Sequence, residues 1–129
     1  MTPRQIAIAL ACVAVIGACA PVPADSTGPA ASSIPALVTI KGFSFTPDVL
    51  EVRAGTTIVW TNQDDILHTV TSGSARNVGL GTYEASPSGA FDGKLDGTGS
   101  SFRFTFPTPG SYAYYCDRHR HMVATVVVK

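Results

Sequence analysis

Apolar and polar residues alternate along several short segments of this chain, and this alternation constrains its fold more than any other feature. In the segment SFRFTF, Phe102, Phe104 and Phe106 fall on one side, and the polar residues between them fall on the other. The segments LVTIK, VLEVR and ATVVVK repeat the pattern. A period of two residues is typical of strands with one buried face, whereas a helix has a period of about 3.6 residues. We therefore predict an all-β domain.

Turn-forming residues separate these segments. Examples are Ala54-Gly55 and the stretch PTPG at 107–110, where proline and glycine favour a change of chain direction. Several short strands divided in this way indicate a β-sandwich or a small barrel. The segment 72–99 is rich in glycine and shows no alternation, so we interpret it as a surface excursion and not as a second site.

The first 19 residues have the character of an export signal. The run IAIALACVAVIGACA carries no charge, and it is shorter than the roughly 20 residues that a membrane-spanning helix needs. Its end, IGAC at 16–19, resembles the lipobox of bacterial lipoproteins, in which the cysteine receives lipid. Cleavage at an ordinary site of small residues is the alternative. We favour a signal peptide over 1–19 with lipid on Cys19, which would tether an exported, periplasmic protein to a membrane.

The remaining chain divides into a linker and a domain. Residues 20–35 are rich in Pro, Ala and Ser, which indicates a flexible tether, and the folded domain is predicted over 36–129. The whole chain has nine basic and nine acidic side chains. Without a basic stripe it has no means of releasing counterions from phosphates, so nucleic acid is excluded as a partner.

The cysteines leave one free thiol in the predicted domain. Cys12 would leave with the signal and Cys19 lies at the cleavage point, so Cys116 has no partner for an internal disulfide. An oxidising compartment pairs or oxidises free thiols, and coordination to a metal would prevent both reactions.

Metal-ligating residue types gather around that thiol. Cys116, His119 and Met122 follow one another at intervals of three residues, and His68 lies upstream in DDILHTVTS. Thiolate, thioether and two imidazoles form the ligand set of a blue-copper electron-transfer site. The strand alternation places Cys116 on the face of Tyr114, at the point where a strand passes into a loop, so the fold would hold the site rigidly.

Each candidate also has a plainer interpretation. A lone cysteine often behaves as a small buried apolar residue, and methionine often fills gaps in a core. His121 adds a different alternative, because Cys116 with His68, His119 and His121 would make a tetrahedral zinc site. The intrinsic order of affinities favours Cu(II) over Zn(II).

Two long segments resemble the cupredoxins of the plastocyanin, pseudoazurin and amicyanin group. They are FSFTPDVLEVRAGTTIVWTNQDDILHTVT and FRFTFPTPGSYAYYCDRHRHM, and the resemblance extends over residues 36–129. The ligand loop Cys-x2-His-x2-Met is the short form, similar to that of amicyanin. The resemblance implies a cupredoxin-like Greek-key β-sandwich or barrel with one type 1 copper ion.

The same resemblance implies roles for individual residues. His68 and His119 would bind copper through imidazole nitrogen, Cys116 through its thiolate and Met122 as the weak axial ligand. Asn62 would tie its strand to a neighbouring loop, and Thr69 would form a hydrogen bond near the cysteine loop. A plainer view makes these last two ordinary turn or strand residues.

The expected function is one-electron transfer by a monomer that is not an enzyme. The donor and acceptor would be redox proteins, with His119 as the exit path. Outward-pointing Arg118 and Arg120 would favour an acidic partner surface, unless they pair with Asp117.

Copper storage or delivery with the same ligands is the alternative function. Proteins that hand over copper use exposed sets of sulfur and imidazole ligands, whereas this chain has two methionines, one of them the initiator. Catalysis of the multicopper or nitrite-reductase kind would need a further copper cluster rich in histidine, which three histidines cannot build.

Overall fold

The computed structural model describes residues 34–129, and these contain strands and turns but no helix. Accordingly, no helix in the described part of the chain is long and apolar enough to cross a membrane. The predicted signal peptide over 1–19 and nearly all of the predicted tether over 20–35 lie outside the described residues. Within 34–129 the all-β prediction is confirmed.

Nine strands in the described range form two sheets that share one core. They are β1 (Ala36–Ile40), β2 (Phe45–Thr46), β3 (Val49–Val52), β4 (Thr56–Asn62), β5 (His68–Gly79), β6 (Thr82–Leu95), β7 (Ser101–Phe106), β8 (Gly110–Tyr115) and β9 (Val123–Val128). One sheet has the order β2-β1-β4-β7 and the other has the order β3-β9-β8-β5-β6. The pairs β1–β4 and β3–β9 are parallel and the remaining pairs are antiparallel.

Trp60 on β4 is the centre of the core between the sheets. Its side chain is fully buried, and its ring centroid lies 6.0 Å from that of Phe91 and 5.6 Å from that of Tyr114. Phe91 and Tyr114 belong to the five-stranded sheet, so these ring contacts join the two layers. Burial of each large apolar side chain stabilises the fold by about 1.5–3 kcal/mol, which makes this aromatic cluster a main source of cohesion.

The predicted alternation is present in the strands. On β7, Phe106 is buried, Phe102 and Phe104 pack against the core, and the polar residues between them are exposed. On β9, Val126 and Val128 are buried in the same cluster. The period-two pattern therefore identified the inward faces correctly.

The segment 72–99 is mostly strand, a regularity that the sequence did not predict, and much of it lies at the surface as expected. Strand β5 continues to Gly79 and β6 begins at Thr82, and the two pair antiparallel. Strand β8 pairs with β5 only over 71–72. Residues 73–87 therefore form a two-stranded arm that separates from β8 and turns toward the ligand loop, where the Tyr83 ring centroid lies 6.5 Å from that of His121. Most of the arm is exposed on both faces, which explains why it lacks the alternation of a half-buried strand.

Strands β5 and β8 bring the predicted ligands to one end of the five-stranded sheet. They are antiparallel neighbours, with Thr71 opposite Tyr115. Strand β5 begins at His68, and β8 ends immediately before Cys116. The start of one antiparallel strand lies beside the end of its neighbour, so these two residues meet. The thiol lies where a strand passes into a loop, as the sequence predicted.

Candidate metal centre

Three side chains converge at this end of the sheet. Cys116 Sγ lies 3.8 Å from His68 Nδ1 and 3.7 Å from His119 Nδ1, and one ligand atom from each of the three residues lies within 4.8 Å of the others. Cys116 and His68 are fully buried, whereas His119 is partly exposed. The fold thus gathers three of the four predicted ligands, although His68 and Cys116 are 48 residues apart in sequence.

A carboxylate sets the orientation of His68. Asp64 Oδ2 lies 2.9 Å from His68 Nε2, on the side of the ring away from Cys116. The backbone N–H of Gly42 donates to Asp64, and this is the main reason that the pKa of the Asp64 carboxyl lies below its ordinary value. An ionised carboxylate only accepts hydrogen bonds, so Nε2 carries a proton and Nδ1 is the ring nitrogen that the neutral imidazole offers to the cluster. The sequence analysis did not single out Asp64.

Backbone hydrogen bonds fold the ligand loop back on itself. Cys116 N–H donates to the Met122 carbonyl over 3.0 Å, which extends the β8–β9 ladder by one rung beyond the Tyr115–Val123 pair. His119 N–H donates to the Cys116 carbonyl over 3.2 Å, and Met122 N–H donates to the His119 carbonyl over 2.8 Å. The spacing of three residues therefore corresponds to two successive turns, and these carry His119 back toward the thiol.

Met122 lies at the base of this loop. It is 2% exposed and belongs to the same buried cluster as Cys116. Its backbone bonds to both Cys116 and His119 fix it beside the other candidates. Its assignment as the axial ligand stays a prediction, which burial beside the loop supports.

Thr69 and Asn62 hold the surroundings of the site. The backbone N–H of Thr69 donates to Cys116 Sγ over 3.3 Å, and the Thr69 hydroxyl accepts the N–H of Asp117 over 2.7 Å. Asn62 Nδ2 donates to the carbonyls of Ile66 and Leu95. Both contacts that the resemblance implied are confirmed. The Thr69 N–H thus fixes the position of the Cys116 sulfur from the neighbouring strand.

His121 lies outside the cluster. Its side chain is exposed, and its ring centroid is 6.4 Å from that of His119. Among the described residues, the group within mutual ligand distance consists of His68, Cys116 and His119. The tetrahedral zinc alternative required His121 as the fourth ligand, and the geometry gives that role no support.

The ligand loop contains one internal charge pair. Arg120 donates to Asp117 Oδ1 from Nε over 3.1 Å and from Nη2 over 2.9 Å, while Arg118 is exposed. Of the two arginines, Arg120 therefore pairs with Asp117, which was the alternative to its pointing toward an acidic partner. Burial, followed by the neighbouring His68, lowers the pKa of His119. A lowered pKa favours the neutral imidazole, which is the form that binds metal.

Phe43 provides an apolar cover that the sequence analysis did not identify. Its ring is edge-on to the rings of His68 and His119, with centroid distances of 5.8 Å and 5.0 Å. It is 43% exposed, and Val123 beyond the ligand loop is 49% exposed. The outer surface next to His119 is therefore partly apolar.

The donor set fits a copper ion. One sulfur and two imidazole nitrogens face one another in a largely buried space, and His68 turns Nδ1 toward the thiol while its Nε2 faces Asp64. Soft thiolate combined with imidazole is characteristic of copper sites. The hydrogen bonds of Asp64 and Thr69 give two of these ligands the outer support that metal-binding residues need.

Comparison with known proteins agrees with this chemistry. Residues 34–129 match the family described as copper binding proteins, plastocyanin/azurin family. Amicyanin from Paracoccus versutus is 30% identical over 136 residues, an alignment that covers 100% of this chain and 96% of the relative.

Solved structures show the same fold. The Cu(I) form of an amicyanin variant with a single substitution superposes with a TM-score of 0.56 at 25% identity, covering 74% of this chain and 82% of that structure. A copper-containing nitrite reductase from Thermus scotoductus gives 0.55 at 30% identity, with 74% of this chain matched to 22% of the enzyme. The matched part of that reductase is therefore a small fraction of its chain.

Proposed function

Because the chain belongs to the plastocyanin/azurin family of copper-binding proteins, we propose that it is a one-electron carrier that works through a single type 1 copper ion. The observation that carries the proposal is the convergence of Cys116 Sγ and His68 Nδ1, both buried, with Nδ1 of the partly exposed His119. When bound, the ion supplies the Cu(II)/Cu(I) couple. The protein supplies the ligands, their orientation and a route to the surface.

Four residues would hold the ion. His68 and His119 would bind through Nδ1, Cys116 through its thiolate, and Met122 as a weak axial ligand that tunes the reduction potential. The Thr69 N–H draws electron density from the Cys116 sulfur. Hydrogen bonds to a ligating sulfur adjust the potential in this way.

The rigidity of the surroundings suits electron transfer. His68 begins a strand, Cys116 directly follows one, and three backbone hydrogen bonds fix the loop between Cys116 and Met122. Ligands held by sheet and loop in this way keep their places when the charge of the ion changes. Little rearrangement then accompanies each transfer, which is what a fast carrier requires.

His119 offers the route for the electron. It is the partly exposed member of the cluster, and the exposed Phe43 ring lies against it. A redox partner that docks over Phe43 and Val123 would approach the ion through the His119 ring. Donor and acceptor are proposed to be redox proteins.

Burial favours an electron carrier over a copper storage or delivery protein. His68 and Cys116 are both fully buried, so release of the ion would require the end of the sandwich to open. An enzymatic role is not proposed. The three histidines of the chain cannot supply a second, histidine-rich copper cluster, and the matched reductase is a much longer protein.

The proposal also includes the cellular context. The signal-like residues 1–19 support export to a periplasm, and the IGAC motif supports a lipid on Cys19 as a membrane tether. The protein is proposed to be a monomer. The mass of the mature protein tests the N-terminal part, because lipidation adds mass whereas simple cleavage does not.

Visible absorption of the copper-loaded protein tests the function. We expect intense charge-transfer absorption from thiolate to Cu(II), and Cys116→Ser should abolish it. His121→Ala is the matched control, because this loop residue lies outside the cluster and its loss should leave the colour unchanged. A wild-type protein that stays colourless with one equivalent of Cu(II) would contradict the proposal.

Kinetics separate the carrier from a storage protein. An electron carrier should show rapid electron self-exchange and slow loss of copper to a competing chelator. The reverse pattern, with fast copper loss and slow self-exchange, would favour storage or delivery.

A further inference from the structure

Asp64 contacts two parts of the site through one carboxylate. Its Oδ2 accepts the Nε2–H of His68 over 2.9 Å and also lies 3.2 Å from the backbone N–H of Phe43. Its Oδ1 accepts the N–H of Gly42 over 2.8 Å. A single side chain thus joins an inner ligand to the turn that covers the site.

The carboxylate is itself firmly held. The N–H of Asp64 donates to Asn62 Oδ1 over 2.9 Å, and its carbonyl accepts the hydroxyl of Thr98 over 3.1 Å. Its side chain is 17% exposed. Asp64 therefore occupies a fixed place between β4, which ends at Asn62, and β5, which begins at His68.

The turn that Asp64 holds has an unusual conformation. Gly42 and Phe43 have φ angles of 58° and 59°, in the left-handed region that a residue with a side chain avoids. Such a conformation costs about 1–3 kcal/mol when a non-glycine residue adopts it. The two N–H groups of this turn both point at Asp64, and charge-assisted hydrogen bonds of this kind offset the cost. As a result the Phe43 ring lies edge-on to His68 and His119.

We propose that Asp64 is a positioning residue that orients His68 and the Phe43 ring together, and that its carboxylate favours the Cu(II) state of the site. The proposal rests on the proposed function, since it takes His68 as a copper ligand. A carboxylate bonded to a ligating histidine makes the imidazole a stronger donor. Its negative charge close to the ion also stabilises the more highly charged Cu(II).

Asp65 provides a matched control for charge alone. It is the next residue, it is exposed, and it makes no hydrogen bond or ion pair with any residue in the described range. Asp65→Asn removes an equal charge from the adjacent, exposed position without touching His68 or Phe43. Asp64→Asn keeps the shape of the side chain but places an amide against donors that need a carboxylate.

Reduction potentials of the two copper-loaded variants test the proposal. We expect the ratio of Cu(II) affinity to Cu(I) affinity to be at least tenfold lower in Asp64→Asn than in Asp65→Asn. For a one-electron couple, this tenfold difference corresponds to a reduction potential that is higher by about 59 mV in Asp64→Asn. Loss of an outer-shell partner typically costs 10- to 100-fold in metal affinity. Equal potentials in the two variants would overturn the proposal.

A measurement on the wild-type protein applies even if Asp64→Asn does not fold. In the diamagnetic Cu(I) form, NMR should show the Nε2–H of His68 exchanging with solvent far more slowly than the ring N–H of exposed His121, together with contacts between the Phe43 and His119 rings. Equal exchange rates would overturn the proposal. If the wild-type protein is blue but fails these tests, the role of Asp64 is wrong and the proposed electron-carrier function stands. If the copper-loaded wild-type protein is colourless, the proposed function itself is wrong.

Discussion

The backbone N–H of Asp117 donates to the hydroxyl of Thr69 over 2.7 Å, which ties the residue after Cys116 to the start of β5. The Thr69 hydroxyl lies 3.1 Å from that of Thr71, which donates to Asp92 Oδ1 over 2.8 Å. Since each hydroxyl has a single proton, the donors run in one direction, from Asp117 through both threonines to the Asp92 carboxylate. Strand β6 therefore helps to hold the ligand loop.

Thr69→Val should loosen this loop. It removes the acceptor of the Asp117 N–H but keeps the Thr69 N–H to sulfur, so we expect the blue colour to remain. The free energy of unfolding should fall by about 1 kcal/mol, and copper should leave faster to a chelator. Thr57→Val is the control, because it breaks the exposed Thr57–Thr105 hydroxyl pair on the other sheet. Equal copper release rates in the two variants would contradict the prediction.

Met122→Gln should lower the reduction potential and preserve some blue absorption. An amide oxygen is a harder donor than a thioether and favours Cu(II) over Cu(I). We expect a shift of at least about 59 mV, which is a tenfold change in relative affinity. Cyclic voltammetry measures it, with His121→Gln as the neighbouring control outside the cluster. A potential equal to that of the control would show that Met122 is not an axial ligand.

Tyr114 should make the fold sensitive to alkali. Burial raises its pKa from the ordinary 10.0 to about 12. Below pH 10 the hydroxyl is protonated in both states. Above pH 10 the tyrosine hydroxyl loses its proton in the unfolded chain but keeps it in the folded protein. The free energy of unfolding therefore falls as the pH rises toward 12, by about 3 kcal/mol in all. Chemical unfolding across this range measures the effect.

Tyr114→Phe should remove this alkaline loss. Within residues 34–129 the buried hydroxyl has no hydrogen bond of good geometry, so at pH 7 the variant should be at least as stable as the wild type. Tyr112→Phe is the control, because its hydroxyl donates to the Thr108 carbonyl over 2.8 Å and its removal should cost about 1 kcal/mol. An alkaline loss that persists in Tyr114→Phe would assign it to another group.

Gly93→Ala should strain the contact between the sheets. A Cβ atom at this buried position would overlap the ring of Phe102 on β7. Overpacking of this kind typically costs about 1–3 kcal/mol, which thermal unfolding would detect. Part of this cost should be recovered when Gly93→Ala is made in a Phe102→Ala background and compared with Phe102→Ala alone, because alanine lacks the Cγ and Cδ atoms that the new Cβ would meet. No recovery would mean that the ring is not the obstacle.

The alternating segments predicted the core because burial imposes a period of two. Phe106 and Val126 were assigned to inward faces, and both are fully buried. The arm over 73–87 was missed because its strands are held by a backbone ladder and not by a buried face. Strands that are held only by backbone hydrogen bonds need no alternation of apolar and polar side chains.

The site was partly predictable for a similar reason. Cys116 and His119 are three residues apart, so their spacing reveals the loop, and His68 was singled out as a second imidazole whose ligand role the resemblance then implied. Asp64 and Phe43 were missed because their contact spans 21 residues and depends on a left-handed turn. Local pattern contains no sign of such a contact.

The loop from Cys116 to Met122 closes a hairpin whose ends are set by the paired residues Tyr115 and Val123. The backbone hydrogen bonds between β8 and β9 do not depend on the side chains of the loop residues Asp117, Arg118, Arg120 and His121. Under the proposed function, substitutions at these outward positions would change the surface that a partner meets while the backbone hydrogen bonds of the ligand loop stay in place. Recognition and redox chemistry would in this sense be separable modules of one short connection.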